Sequence, residues 1–337
     1  MFAGAAVLAA MVVGGCGGAS DSVDGAGAGG VENATSTVSL VAYSTPQVVY
    51  DELIPDFNRT PEGEAVAFKT SFGASGDQSR AVEGGQKADY VSFSTEPDMT
   101  RLVDAGLVDP TWKDTPTDGL VTTSVMSFVV RKGNPKDIQD WDDLLKPGVE
   151  VLTPNPFSSG AAKWNLLAAF GANGGLEDPE QGLDYVRELI TEHVKVQDKS
   201  GRDALQNFVS GTGDVLLSYE YEAITAQKKG EELEYVTPDS TVKIDITAAT
   251  TKDAPPAAKS FLDFALSEQG QQRFADWGYR PVDEKVLKAN ADKFPEPEDL
   301  FTIDDLGGWE KVNADYFDIE AGAITKIEEE AGVSTAS

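Results

Sequence analysis

The chain has 337 residues, 40% of them hydrophobic and 25% charged, which is the balance of a soluble globular protein with room for two lobes. Its 57 acidic residues against 27 basic ones leave a net charge of −30, which excludes nucleic acid and anionic lipid head groups as natural partners. The single cysteine excludes an internal disulfide.

The first segment is MFAGAAVLAAMVVGGCGGAS. Residues 1–13 are apolar but too short to span a bilayer, and small residues follow them. Val13-Gly14-Gly15-Cys16 resembles a bacterial lipoprotein signal box. The resemblance implies cleavage before Cys16 and lipidation of its thiol, which would hold the protein on the extracytoplasmic face of the cell membrane. The basic start of such a leader is absent, so the natural chain is expected to begin a few residues earlier. Residues 17–36, rich in Gly, Ala, Ser and Asp, read as a flexible tether.

From residue 37 apolar strands and amphipathic helices alternate. VSLVAYS (38–44) reads as a buried strand, followed by a helix with Thr45 as N-cap and Pro46 at its first position. AVAFKTSF (65–72) is a strand and SGDQSRAVEGG (75–85) a short helix closed by glycine. DYVSFS (89–94) and EPDMTRLVDAG (96–106) repeat the pair. The series runs on through SVMSFVVRKG, DIQDWDDLL, VEVLTP, SGAAKWNLLAAFGA, GLDYVRELITEH, VKVQ, GRDALQNFVSG and DVLLSYE. Asn134-Pro135 marks a surface turn or an inter-lobe connection, and 236–250 turns strand-like again and returns to the first lobe. Two helical segments fill 254–278, and an acidic, partly helical tail closes the chain, with Glu328 to Glu330 expected on a solvated face. This βαβα order predicts an α/β architecture with largely parallel sheets, where ligands sit at the carboxyl ends of strands.

Three such strand ends share one pattern: Ser75-Gly76, Ser158-Ser159-Gly160-Ala161 and Ser200-Gly201-Arg202. Ser44-Thr45 forms a fourth. Each of the three leads into a helix whose first N–H groups lack intrahelical acceptors, and glycine or alanine lets a ligand approach the backbone. A serine N-cap is the plain alternative at any one corner, but three or four together point to convergence on one anion. Ser159 is expected to do both jobs, capping its helix and donating to the ligand. Hydroxyl donors without an intervening acid suit a fully ionised dianion such as sulfate, and because they do not titrate, binding should be flat from about pH 5 to 8. Charge-assisted hydrogen bonds contribute about 1.5–3 kcal/mol each, so several can supply the roughly 8 kcal/mol that micromolar binding requires after association costs.

Other chemistries fit less well. GASGD approaches a serine-hydrolase elbow, but Asp77 stands where the last glycine belongs. His193, at a helix end, is the sole histidine available to a serine mechanism. Tyr219 to Glu222, YEYE, offers hard oxygen ligands for ferric ion but leaves the hydroxyl corners unexplained. Trp141, Trp164, Trp277 and Trp309 lie in amphipathic runs and are read as core or lobe packing. No Walker motif is present.

At these residues the chain resembles the sulfate-binding proteins of bacterial ABC importers, in their actinobacterial lipoprotein form. VAYSTPQVVYDELIPDF, SFGASGDQSRAVEGGQKADYVSFS, KGNPKDIQDWDDL, TPNPFSSGAAKWN, SGRDALQNFVSGTGDVLLSYEYEA and GQQRFADWGYRPV carry it, from about residue 38 to 282. The resemblance implies a type II periplasmic-binding-protein-like fold, each lobe a mainly parallel sheet flanked by helices, with the ligand in the cleft between them. It implies a leader at 1–16, a tether at 17–36, lobe 1 at 37–125 and again at 239–282, lobe 2 at 126–238, and an acidic helical extension at 283–337. The implied sulfate contacts fall on Ser75 and Gly76, on Ser159, Gly160 and Ala161, on Gly201 followed by Arg202, and on Tyr219, where the family carries tryptophan. Ser44, helped by Thr45, replaces the family's first-strand aspartate. These two replacements bear on selectivity among sulfate, thiosulfate, molybdate and phosphate. The implied protein is a monomeric, lipid-anchored receptor without metal, cofactor or catalysis. It serves membrane permease subunits driven by a separate ATPase.

Overall fold

The computed structural model describes residues 34–335. Cys16, the leader at 1–16 and nearly all of the tether at 17–36 lie outside the described residues.

Strand β1 (Ser36–Tyr43) is buried from Val38 onward, as a strand covered by helices on both faces must be. It is followed by α1 (Gln47–Asn58), β2 (Val66–Gly73), α2 (Ser75–Glu83), β3 (Tyr90–Phe93) and α3 (Glu96–Asp104). The long strand β4 (Leu120–Arg131) leads to α4 (Trp141–Leu144), β5 (Val151–Pro154), α5 (Gly160–Phe170), α6 (Pro179–Glu188), β6 (Val194–Asp198), α7 (Gly201–Val209), β7 (Val215–Tyr219) and α8 (Glu220–Lys228). Then come β8 (Leu233–Val236), a second long strand β9 (Ser240–Thr250), α9 (Pro256–Ala265) and α10 (Glu268–Asp276). Between β4 and α4, Asn134 takes a left-handed backbone (φ 41°) and its amide bridges both the N–H and the carbonyl of Ile138, at 3.0 and 2.7 Å, so GNPKD is a surface turn.

The strand order β2-β1-β3-β9-β4-β7-β5-β6 divides into two parallel blocks joined by antiparallel strands. β1 runs parallel to β2 and β3, and β5 parallel to β6 and β7. β9 is antiparallel to β3 and β4, and β4 is antiparallel to β7. The pairing of β4 changes partner in mid-strand, with Val125 opposite Lys243 of β9 and Met126 opposite Tyr219 of β7. The sheet is thus mixed, with the antiparallel pairs confined to the strands where the chain crosses from one block to the other.

The C-terminal segment packs on the second block. Trp309 meets Trp164 edge-on at 4.8 Å, Tyr316 meets Phe170 at 4.8 Å, and Phe301 fills the space above Gly171. Trp141 packs edge-on against Phe128 in the core. The solvated acidic face expected at Glu328 to Glu330 is overturned at its first member. Glu328 is fully buried against β6, accepts from Gln197 at 2.6 Å, and burial pushes its carboxyl up to about 7. Only its neighbours face outward, because the helix Ala323–Glu330 turns Ile324, Ile327 and Glu328 inward at helical spacing.

Candidate functional site

The carboxyl ends of β1, β2, β3, β5, β6 and β7 gather where the two blocks meet, and each leads into a helix. Between β5 and α5 the chain folds on Asn155. Its amide oxygen takes the Phe157 N–H at 2.8 Å, its carbonyl takes Ser159 N–H at 2.9 Å, and its own N–H donates to the carbonyl of Asp198, the last residue of β6, at 2.7 Å. This turns the first residues of α5 toward the end of β3. A side chain at Gly160 would run into Ser94 Oγ and the Thr95 methyl, so only glycine permits the approach. Across the same gap Gly76 N–H donates to the Ser158 carbonyl at 3.1 Å, and Trp164 Nε1 donates to the Ser94 carbonyl at 2.5 Å.

The expected residues fall into two groups with Tyr219 between them. Ser75 and Gly160 lie against Ser94, and Gly76, Ser159 and Ala161 belong to the same two helix starts. Ser75 Oγ donates to Asp98 Oδ2 at 2.6 Å and accepts Ser94 N–H at 3.1 Å, so its hydroxyl proton is spent within the chain. Ser159 is 4% exposed and stands at the N-cap position of α5, but its side chain accepts no helix N–H. The expected capping role is therefore overturned: Asn155, not Ser159, organises this corner. Ser200 is the true cap, taking the Asp203 N–H at 3.2 Å.

The second group joins the end of β1 to the start of α7. Arg202 donates to the Ser44 carbonyl. Gly201 lies against Thr45 and Glu222. Thr45 was expected to cap α1, yet its hydroxyl pairs with Tyr221 Oη at 2.7 Å and Pro46 takes the cap position instead. Tyr221 stacks on Tyr279 at 3.8 Å and meets Tyr219 edge-on at 5.2 Å. Tyr219 is completely buried. Burial, then neighbouring Tyr43, raise its phenol well above the usual range, with Ser94 close enough to oppose the rise.

Four functional side chains escaped the sequence reading as parts of the site: Ser94, Asp98, Trp164 and Glu222. Ser94-Thr95 repeats the corner pattern, a strand end with hydroxyls before a helix, and was legible on that ground. Asp98 and Glu222 read as ordinary first-turn acids; only tertiary packing brings them in. Asp98 is saturated on one oxygen by Ser75 and Thr95, at 2.6 and 2.9 Å. Glu222 accepts from Ser218 on Oε2, while burial raises its carboxyl to about 7, against the smaller lowering by hydrogen bonds and Arg202. Both its oxygens lie 3.4 Å from where a Gly201 Cβ would stand. Ser94 Oγ, Tyr219 Oη and Glu222 Oε1 are buried without a hydrogen-bond partner among the described residues. Such groups are costly unless a ligand or water satisfies them.

The arrangement suits a small, desolvated polar ligand held by backbone N–H groups and hydroxyls. The other candidates are engaged elsewhere. Glu220 of YEYE is held by Arg280 at 2.7 and 3.0 Å, and a His193 ring nitrogen lies 3.2 Å from the Val149 carbonyl.

The sequence matches the family described as bacterial extracellular solute-binding protein over residues 38–280. It is 36% identical to the sulfate-binding protein of Synechococcus elongatus, over 96% of this chain and 94% of that one. It is 32% identical to the thiosulfate-binding protein of Escherichia coli K12, over 85% and 89%. The solved structure of the sulfate-binding protein SubI from Mycobacterium tuberculosis H37Rv superposes with a TM-score of 0.81 and 48% identity, covering 83% of this chain and 98% of that one.

Proposed function

The chain belongs to the bacterial extracellular solute-binding protein family, and from that premise we propose that it captures sulfate outside the cytoplasm and delivers it to an ABC importer. It is a transport receptor and catalyses no reaction. The observation that carries the reading is the meeting of the α2 and α5 N-termini beside Ser94, with the α7 start against Glu222 on the other side of Tyr219, where Ser94 Oγ and Tyr219 Oη are buried without a partner among the described residues. Helix N-termini present unpaired N–H groups and a favourable dipole to an anion. The sulfate-binding relatives support the choice of anion.

Within this reading Ser159 Oγ and the N–H groups of Gly160, Ala161 and Gly201 donate to sulfate. Ser44, Ser75 and Gly76 close the shell, and Tyr219 donates where the resembling family carries tryptophan. Arg202 acts through Ser44, whose carbonyl it holds. Lobe 1 comprises 37–125 and 239–282 and lobe 2 comprises 126–238, a division supported by the change of partner at Val125 and Met126. Cys16 anchors the monomeric receptor to the membrane through lipid, and the partners are permease subunits with an ATPase on another chain. A hydrogen-bearing oxyanion such as hydrogen phosphate is the second reading, favoured by one observation: Glu222 Oε1 is buried without a hydrogen-bond partner among the described residues and, once ionised, accepts the ligand's proton.

Calorimetric titration with sulfate, thiosulfate, phosphate and molybdate tests the reading. One sulfate per chain at micromolar or tighter affinity is expected, and phosphate binding without sulfate binding overturns it. For the anchor, Cys16→Ala should move the protein from membrane to soluble fractions; an unchanged distribution removes the lipid.

A further inference from the structure

Arg80, Arg101 and Lys163 converge on a cavity of about 370 Å³ that opens beside the Ser159 corner. Asp98, Ser159 and Gly160 line its inner side, and the C-terminal segment closes the outer side with Asn313, Phe317 and Asp318. Three cations around one cavity are conspicuous in a chain of net charge −30.

Their pairing is incomplete. Arg80 is held by Asp77 at 2.6 Å, but Arg101 reaches Glu83 only at 3.4 Å and, among the described residues, its Nε is buried without a partner. Lys163 donates to Asn313 Oδ1 at 3.0 Å and stands 5.0 Å over the Phe317 ring, and among the described residues no carboxylate lies within ion-pair distance. Desolvation lowers its ammonium pKa to about 8; Asp98 opposes the shift, and the like charges of Arg101 and Arg80 add to it. The acids nearby accept hydrogen bonds from within the chain, Asp98 on one oxygen only. Asp98 accepts from Ser75 and Thr95, and Asp318 from the Glu320 and Ala321 N–H groups.

We propose that this cavity is an outer anion site, which takes up a small divalent oxyanion from solution and passes it to the buried corner. The proposal rests on the corner being the sulfate site. Charges beyond a Debye length of about 8–10 Å are largely screened, so an approaching dianion meets the local cationic patch rather than the net charge. A patch beside a cleft raises local anion concentration and association rate. The patch also explains how a site built of neutral donors can fill quickly in an acidic protein. The neutral donors hold the anion, and the cations only bring it near.

The test uses the full chain carrying [ε-13C]lysine. The Lys163 resonance, identified by its loss in Lys163→Gln, should report a saturable rise of its ammonium pKa at sulfate concentrations well above those that fill the buried site. In stopped-flow tryptophan fluorescence, Arg101→Gln combined with Lys163→Gln should slow sulfate association roughly 5- to 50-fold and weaken the slowing of association by added salt. Dissociation should slow in parallel, since one route serves both directions, leaving equilibrium affinity within about threefold. A Lys163 resonance blind to sulfate, or wild-type association in the double variant, overturns the outer site. A responding Lys163 in a chain with no tight sulfate binding overturns the corner site instead and leaves the outer one standing.

Discussion

Ser159 stands at the start of α5 with extended backbone, φ −109° and ψ 122°, yet its hydroxyl is not used by the helix. Ser159→Ala therefore should cost no more than about 1 kcal/mol of stability, the centre of the range for point substitutions, since no cap bond is lost. If the hydroxyl donates to sulfate, the same change should cost about 1.5–3 kcal/mol of affinity, roughly ten- to a hundredfold or somewhat more. Melting and calorimetry on one variant separate the two, and an unchanged dissociation constant would remove Ser159 from the site. Glu222 overturns the premise behind the flat pH profile, because a titrating group does face the corner. Its folded pKa of about 7 stands above 4.5, so the folded chain holds a proton that the unfolded chain gives up. The stability this contributes is complete below about pH 4.5 and is lost as pH rises through about 7. Sulfate repels the ionised form, so affinity should weaken by up to about tenfold per unit above pH 7 and level off below it. Glu222→Gln should flatten that profile and bind at pH 8 as wild type does near pH 6. A flat wild-type profile from pH 6 to 8 would show that Glu222 does not sense the anion.

At the scale of elements, the corners were legible because each rests on local chemistry. A strand end, a hydroxyl and a small residue before an amphipathic run give an exposed helix N-terminus wherever they occur. Ser75, Ser159 and Ser200 all fall at such starts. Which hydroxyl caps and which faces the cleft was not legible, because for Ser75 and Thr45 that is decided by partners distant in sequence, Asp98 and Tyr221, while at the Ser159 loop the nearby Asn155 takes over the turn. Glu328 misled for the same reason, since three successive glutamates look alike until β6 lies beneath one of them. Parallel strand direction was legible within each βαβ block but not in β4 and β9, whose pairing depends on where the chain crosses over. Gly160 is where local and distant constraints collide. Alanine there should help the isolated helix, being up to about 1 kcal/mol better than glycine in propensity. Its Cβ would press on Ser94 and on the Thr95 methyl, 2.8 Å away, when the corners meet. Gly160→Ala should thus melt below the wild-type temperature despite the better helix propensity, and bind sulfate at least tenfold more weakly. Calorimetry that finds wild-type affinity would mean that the corners do not close as described.

Across the whole molecule, the two blocks are tied covalently by strands that cross between them and non-covalently by side-chain and backbone contacts that span the cleft. Of these, Trp164 Nε1 to the Ser94 carbonyl is the most buried, with Trp164 fully enclosed between the β3 end and Trp309. It joins the helix that presents Ser159 to the strand end that presents Ser94, so it exists only when both halves of the site are assembled. A bond present only in the closed state shifts the open–closed equilibrium by its own net contribution, about 0.5–1.5 kcal/mol for a neutral pair. Trp164→Phe keeps most of the apolar packing and removes the donor. Association of sulfate with the open form should be unchanged, whereas release should accelerate roughly two- to twelvefold, because reopening no longer breaks this bond. The outer cationic patch predicts the opposite signature, slower association with dissociation slowed alongside it, so stopped-flow rates on the two sets of variants distinguish latch from vestibule. Should Trp164→Phe slow association and leave release untouched, the Trp164 contact forms before the anion arrives and closure is not what holds the ligand.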